Sequence, residues 1–237
     1  MELTVIIPTY NEKENIVPLI QKLVEVSKID NLTLRIIVVD DNSPDKTGEV
    51  VENLKSKVSG LEVIHRSQKD GLGKAYLEGF KSALSSGADL IITMDADLSH
   101  KPEDITRFLA NTKGFDIVIG SRYIKGGKME GFDFFRKLLS KWAIFFARFL
   151  LGLKTRDLTS GYRCYSRRFI EFLNGNGIDA SGYAFQVEMI KKAEKNGFKI
   201  FEIPIIFRPR KLGKSKLSWG EVLNSAWALL KLKWSKN

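Results

Sequence analysis

Two aspartates one residue apart, Asp95 and Asp97, follow directly on the apolar run Leu90–Met94. Where a strand leaves a sheet, such a pair can lean toward one site with little backbone rearrangement. Hard oxygen ligands of this kind suit Mg²⁺ or Mn²⁺, which take one or two carboxylates and complete their shell with substrate phosphates. A cation held there would neutralise a diphosphate as it departs. Capping of the helix that begins near Pro102 is the other use for the pair, and the residues alone leave both open.

A second carboxylate pair, Asp40-Asp41, ends another apolar run and leads into Asn42-Ser-Pro-Asp45, a turn-forming cluster. A carboxylate there can accept hydrogen bonds from a ribose or a base edge; an Asx turn with a solvated partner is the plainer alternative. After the first apolar run comes Pro8-Thr-Tyr-Asn-Glu12, where Tyr10 can stack and Glu12 can accept from a base. No Walker sequence and no G-x-G-x-x-G is present. Gly71-Leu-Gly73-Lys lacks the spacing of a phosphate loop and reads as the start of a helix.

The elements that must position these residues alternate. Apolar runs at Leu3–Pro8, Leu34–Val39, Leu61–His65, Leu90–Met94 and 117–120 predict strands. Between them, 15–27, 47–57, 73–86 and 102–111 carry helical spacing. This alternation predicts a largely parallel sheet covered on both faces, with ligands beyond the carboxyl ends of its strands. Further on, 134–151 has a strong amphipathic signature, 183–196 reads as a helix, 199–207 as a strand and 219–232 as a terminal helix. On the helix at 134–151, Arg136 and Ser140 share a face that Ala143 and Ala147 continue as a smooth groove. The opposite face holds Phe135, Leu139, Trp142, Phe146 and Phe149. It suits either the core or a bilayer interface, and Lys137, Lys141 and Arg148 flank it as snorkelling charges.

Composition is that of one globular domain, with 237 residues, 43% hydrophobic and 28% charged. No uncharged apolar run reaches the roughly eighteen residues expected of a spanning helix, and no signal peptide is read in the opening residues, which carry a buried-strand pattern instead. The lone Cys164 fits a reducing compartment and a place near the core. Charge divides the chain: residues 1–118 hold 14 Lys/Arg against 19 Asp/Glu, and residues 119–237 hold 24 against 9. The second half is therefore expected to face a polyanion, either nucleic acid or an anionic membrane, while the loops after the first two strands put the nucleotide cradle in residues 1–118. Without a nucleic-acid-binding motif, and with an acidic first half, nucleic acid is not an expected partner.

Taken together, Pro8-Thr-Tyr-Asn-Glu12, Val38-Val-Asp-Asp-Asn-Ser-Pro-Asp45 and Asp95-Ala-Asp-Leu98 resemble the family-two glycosyltransferases. Gly71-Leu-Gly-Lys-Ala-Tyr76, Gly120-Ser-Arg-Tyr123, Arg156-Asp-Leu-Thr-Ser-Gly161 and Arg210-x-x-Gly-x-Ser-Lys216 narrow the resemblance to the dolichol-phosphate mannose synthase branch, over essentially the whole chain. The resemblance implies the nucleotide-diphosphosugar transferase, or glycosyltransferase A, fold. It implies that Pro8, Tyr10, Glu12, Val39 and Asp41 hold the guanosine of GDP-mannose, with Asp95, Ala96 and Asp97 at the diphosphate and metal. Asp97 is the expected direct ligand. Ser99 stands where some relatives have Gln, and its shorter side chain reaches the metal less readily. Arg210 and Lys216 would close over the diphosphate. Arg122, Arg136 and Ser140 would receive the phosphate of a dolichyl or polyprenyl acceptor, on the cytoplasmic face of a membrane. Small membrane subunits are further implied partners.

That acceptor bears on mechanism. A phosphate monoester is already anionic near neutral pH and needs no general base, unlike a sugar hydroxyl. Orientation and charge then carry the reaction, with Asp97, Arg122, Arg210 and Lys216 as the expected catalytic groups and in-line inversion as the outcome. A sister enzyme using UDP-glucose or another UDP-sugar is the open alternative. A pyrophosphorylase would need a Gly-rich loop after the first strand, which this chain lacks, and an inactive homologue would be expected to lose Asp95 or Asp97.

Overall fold

A computed structural model describes residues 2–29, 32–178, 183–210 and 230–233. It opens with β1 (Glu2–Thr9), α1 (Lys13–Ile29), β2 (Thr33–Asp40), α2 (Thr47–Leu54), β3 (Leu61–His65), α3 (Leu72–Ser85) and β4 (Leu90–Thr93). A single 3₁₀ turn (Pro102–Asp104) leads into α4 (Ile105–Ala110), followed by β5 (Ile117–Ser121), β6 (Lys128–Met129) and α5 (Phe134–Leu151). The chain continues through β7 (Arg163–Ser166), α6 (Arg167–Asn176), α7 (Tyr183–Lys195), β8 (Ile200–Pro204) and β9 (Ile206–Phe207). Seven strands form one sheet in the order β3-β2-β1-β4-β7-β5-β8, and β6 with β9 forms a small second sheet. Only β7 runs antiparallel to its neighbours in the large sheet.

The apolar runs are continuous because helices cover both faces. Leu3, Val5 and Ile7 of β1 pack on one side with Ile16, Leu19, Ile20 and Leu23 of α1. Ile6, one residue out of step, packs on the other side with Ala75, Tyr76 and Phe80 of α3. Cys164 is buried between β4 and β5, where burial pushes its thiol up to about 12. No helix among the described residues is long and apolar enough to cross a membrane.

Three expectations change. β7 was not foreseen: it is four residues long and opens on a fully buried arginine, Arg163, which breaks the apolar pattern. The helix α6 behind it, started by Ser166 accepting the Phe169 N–H, was likewise unread. The single strand expected over 199–207 divides after Pro204. A proline has no N–H for the ladder, and Ile205 donates to Ser121 O while accepting from Lys128 N. Of the terminal helix expected over 219–232, only residues 230–232 are described, and they are helical.

Register sets the site. Thr9 pairs with Asp40, and Ile6 of the same strand pairs with Thr93, so the loops after β1, β2 and β4 leave the sheet side by side. Close packing of α3 on β1 fixes that alignment: a Cβ at Gly79 would lie 2.5 Å from Ile6 Cγ2. Helix propensity favours alanine there by about 1 kcal/mol, whereas overpacking costs about 1–3 kcal/mol. Ile6 is β-branched and fixed in the core, so the clash is expected to win. Gly79→Ala should lower the urea midpoint at unchanged slope; a variant as stable as the parent would show that this contact yields.

Candidate active site

Asn11 and Asn42 adopt left-handed backbone (φ 55 at each), which asparagine tolerates well, and so turn the chain sharply beyond β1 and β2. The two turns are tied together: Asn11 Oδ1 accepts from Asp45 N, and Asp45 accepts from Lys13 N and Thr47 N. Asp40 is structural, accepting from Thr9 Oγ1 and Ser43 N. Asp41 is buried and paired with Arg66, which also contacts Glu78 at 3.0 Å. Burial outweighs that pairing and leaves the Asp41 carboxyl above its ordinary value. Tyr10 is half-buried, with Lys69 Nζ 4.6 Å from its ring centre. Glu12 is buried and accepts from Asn15 Nδ2 at 2.8 Å. Pro8 lies between these groups, half-buried, while the Val39 side chain belongs to the core.

The aspartate pair sits one strand over. Leu98 is left-handed (φ 61), uncommon for a bulky residue, and the turn lets Ser99 N donate to Asp97 Oδ1 at 3.0 Å. Arg210 reaches in from the chain beyond β9, with Nη2 3.3 Å from Asp97 Oδ2 and Nη1 3.9 Å from Glu12 Oε1. It thereby joins the β1 loop to the β4 loop. Ala96 and Ser99 are buried. Burial raises the Asp95 carboxyl and the neighbouring Asp97 charge adds to the rise, while Arg122 and Arg210 pull the other way. Beside that carboxyl a Cβ on Gly161 would come within 3.1 Å of Asp95 Oδ1, so glycine keeps that side open. Two carboxylates with an open flank fit Mg²⁺ or Mn²⁺ that draws its remaining ligands from phosphate oxygens.

His100 was not singled out from the sequence. Its Nδ1 accepts the Asp95 backbone N–H at 3.2 Å, which puts the ring proton on Nε2, and burial keeps the imidazole neutral. It stacks on Tyr162 at 4.9 Å and so wedges the backbone of the aspartate loop. Its place three residues past Asp97 was the signal available.

Arg122 follows β5. Its Nε and Nη2 donate to Asp157 at 2.8 Å each, and Nη2 also donates to Thr159 Oγ1 at 2.7 Å. Asp157 is fully buried and further accepts from Arg122 N, Thr159 N and Ser160 N. Its own loop is clamped by Glu202, which accepts from Arg156 N and Asp157 N, and by Glu194, which accepts from Thr155 N. Burial alone would raise Asp157, but Arg122 outweighs it and the carboxyl lies below its ordinary value. Arg122 and Tyr123 line a cleft of about 490 Å³ with residues 127–131, Lys137 and Lys141. Tyr123 Oη is 2.6 Å from Ser140 Oγ, which brings Ser140 to the same place. The side chain of Arg136, and all of Lys216, lie outside the described residues. Of the small-residue stripe, Ala143 is exposed whereas Ala147 is buried with Ile144, so only its far end enters the core. The aromatic face is outside: Phe135 is 81% exposed, Trp142 62% and Phe149 81%.

A mostly parallel sheet flanked by helices, with a carboxylate pair at its C-terminal edge, is a fold of the glycosyltransferase A type. The chain belongs to glycosyl transferase family 2, whose profile matches residues 4–173. It is 43% identical over 222 residues to a polyprenol monophosphomannose synthase of Mycolicibacterium smegmatis, covering 92% of this chain and 82% of that one. It is 40% identical over 222 residues to an undecaprenyl-phosphate mannosyltransferase of Micrococcus luteus, covering 94% and 90%. In fold it is similar to a mannosyltransferase of Pyrobaculum calidifontis solved in complex with GDP-Man and Mn²⁺ (TM-score 0.62, 19% identity, 97% of this chain and 62% of that one).

Removing the charge of Asp157 should leave Arg122 buried without a counter-ion. Asp157→Asn is expected to lose about 3–5 kcal/mol of stability at neutral pH. Because the folded carboxyl lies below the unfolded value of about 4, its contribution is complete above that value and is lost as pH falls through the folded one. The gap between parent and variant should therefore narrow below about pH 4 in denaturant titrations. A gap that stays constant down to the acid limit would mean the two are not coupled.

Proposed function

We propose that this chain transfers mannose from GDP-mannose to a dolichyl or polyprenyl phosphate, with inversion, at the cytoplasmic face of a membrane. The observation that carries the reading is the meeting of two anion-handling sites at Arg122. On one side lie Asp95, Asp97 and Arg210; on the other lies a cleft rich in lysine. The loop that holds Arg122 through Asp157 runs on to Gly161, where a Cβ would lie 3.1 Å from Asp95 Oδ1, so the two sites adjoin. Similarity to polyprenol- and undecaprenyl-phosphate mannosyltransferases supplies the sugar and the lipid class.

Pro8, Tyr10, Glu12, Val39 and Asp41 form the guanosine end of this proposed site. Asp95 and Asp97, with Ser99 beside them, would hold Mg²⁺ or Mn²⁺, which when bound offsets the charge of the departing diphosphate. Arg210, and Lys216 after it, add positive charge at the same oxygens. Arg122, Arg136 and Ser140 take the acceptor phosphate, where the arginine fork orients it toward the anomeric carbon. No proton need leave that acceptor. In keeping with this, Glu130 in the cleft is paired with Arg208 at 3.0 Å and Asp157 with Arg122, so neither is poised as a base. The outward aromatic face of α5 supports a membrane-surface location, since an apolar surface of that size is stable only when covered.

Transfer from GDP-mannose to polyprenyl phosphate should require divalent metal and exceed transfer from UDP-glucose; equal or greater use of UDP-glucose would overturn the donor. Asp97→Asn should abolish metal-dependent transfer while the thermal midpoint changes little, and unaltered Mn²⁺ dependence would remove Asp97 from the site. Trp142→Glu should weaken sedimentation with anionic liposomes without unfolding the protein, because the side chain is largely exposed. Undiminished liposome binding would place the membrane contact elsewhere.

A further inference from the structure

Charge balance in the acceptor cleft does not close on Arg122. A phosphate monoester brings about −1.5 to −2 at neutral pH. Arg122 already has its charge matched by the buried Asp157, with two of its nitrogens committed to that carboxylate. It can orient a phosphate, yet it adds little net positive charge. The remaining acidic group on the cleft, Glu130, is likewise matched, by Arg208. Three further cations line the same cleft: Lys128 on β6, and Lys137 and Lys141 on α5.

Lys137 and Lys141 are one helical turn apart and so point the same way. Lys128 comes from a different wall, held there by the β6–β9 pairing, in which Lys128 pairs with Ile206. None of the three makes an ion pair with a described residue, whereas the arginines nearby do. Among the described residues, three ammonium groups without an ion-pair partner thus line about 490 Å³, an arrangement that favours an entering anion. Lysine also suits this role, because it acts as a mobile point charge beside the fixed fork of the arginine. From the sequence, Lys137 and Lys141 were expected to flank the apolar face and reach toward headgroups. In the folded chain both turn to the cleft that holds Arg122.

We propose that Lys128, Lys137 and Lys141 supply the charge that binds the phosphate of the acceptor, with Arg122 as the group that orients it. The proposal rests on the transfer reading above, and deepens it by dividing the work between charge and orientation. Tyr123 connects the two: its ring lies 5.3 Å from the Arg122 guanidinium and its hydroxyl meets Ser140 on α5.

The test uses the full chain and a short isoprenyl phosphate in neutral detergent, with no anionic lipid present. Binding is measured by calorimetry with GDP and Mn²⁺ already bound, and transfer from GDP-mannose is measured on the same samples. Each Lys→Gln substitution at 128, 137 or 141 should weaken isoprenyl phosphate binding several-fold, and the triple variant about a hundredfold or more. The dependence on salt should flatten in parallel, Lys137→Arg should recover most of the loss at that position, and GDP affinity should stay at the parent value. Equal binding by parent and triple variant would overturn the proposal. So would a loss seen only with anionic vesicles, because the lysines would then serve the membrane surface. Binding lost in the triple variant, together with no transfer by the parent, would sink the transfer reading and leave the phosphate site standing.

Discussion

A guanidinium taken out of water is costly unless a counter-charge or a set of hydrogen-bond acceptors meets it, and the second half of this chain is built around one arginine–aspartate pair. Arg122 follows β5, and Asp157 sits in the loop before β7, 35 residues later. Their bidentate contact pins the one element of the large sheet that runs against its neighbours. Asp157 also gathers three backbone N–H groups, while Glu202 and Glu194 clamp the loop from β8 and α7. A fully buried Arg163 reinforces it from below by donating to Leu158 O and Gln186 O. Breaking a pair of this kind costs far more than a surface ion pair contributes. Its retention at this point therefore fits a need for rigidity where two substrates meet.

The same constraint explains how opposite charges are kept apart. The carboxylates after β1, β2 and β4 stand at the ends of adjacent parallel strands, where register sets their loops side by side. Positive charge arrives from later in the chain, through Arg210 onto Asp97 and Glu12, and through the lysines of β6 and α5. The small β6–β9 sheet connects these arrivals, since β9 carries the chain from the lysine cleft back to Asp97 within a few residues. Arg122 lies between the two regions, matched by Asp157 in the loop that runs on to Gly161 beside Asp95.

Helix α5 serves two surfaces. Ile144 and Ala147 are its contact with the core, Tyr123 reaches Ser140 on one flank, and the ring-bearing face is turned outward. An exposed aliphatic or aromatic residue is ordinary when single, but a contiguous row implies a partner. The lysine cleft and this row lie on the same helix. A lipid acceptor whose phosphate entered the cleft would thus have its apolar tail beside an apolar surface.

The sequence by itself determined the alternating elements of the first half, because strands covered on both faces must be apolar throughout and helices must show a stripe. It also determined the aspartate pair, the turn at Asn42-Ser-Pro-Asp45, and the amphipathic character of α5, since each depends on residues close together in the chain. Tertiary structure alone decided the rest. Four-residue β7 owes its place to pairing with β4 and β5, not to any local pattern. Asp157 and Arg122 are far apart in sequence, and nothing local to either announces the other. Whether the ring-bearing face of α5 turned inward or outward was undecided by periodicity, which fixes a stripe but not what meets it. Lys137 and Lys141 read equally well as a solvated flank until β6 brought Lys128 across from them, because convergence of charge is a property of the fold rather than of spacing.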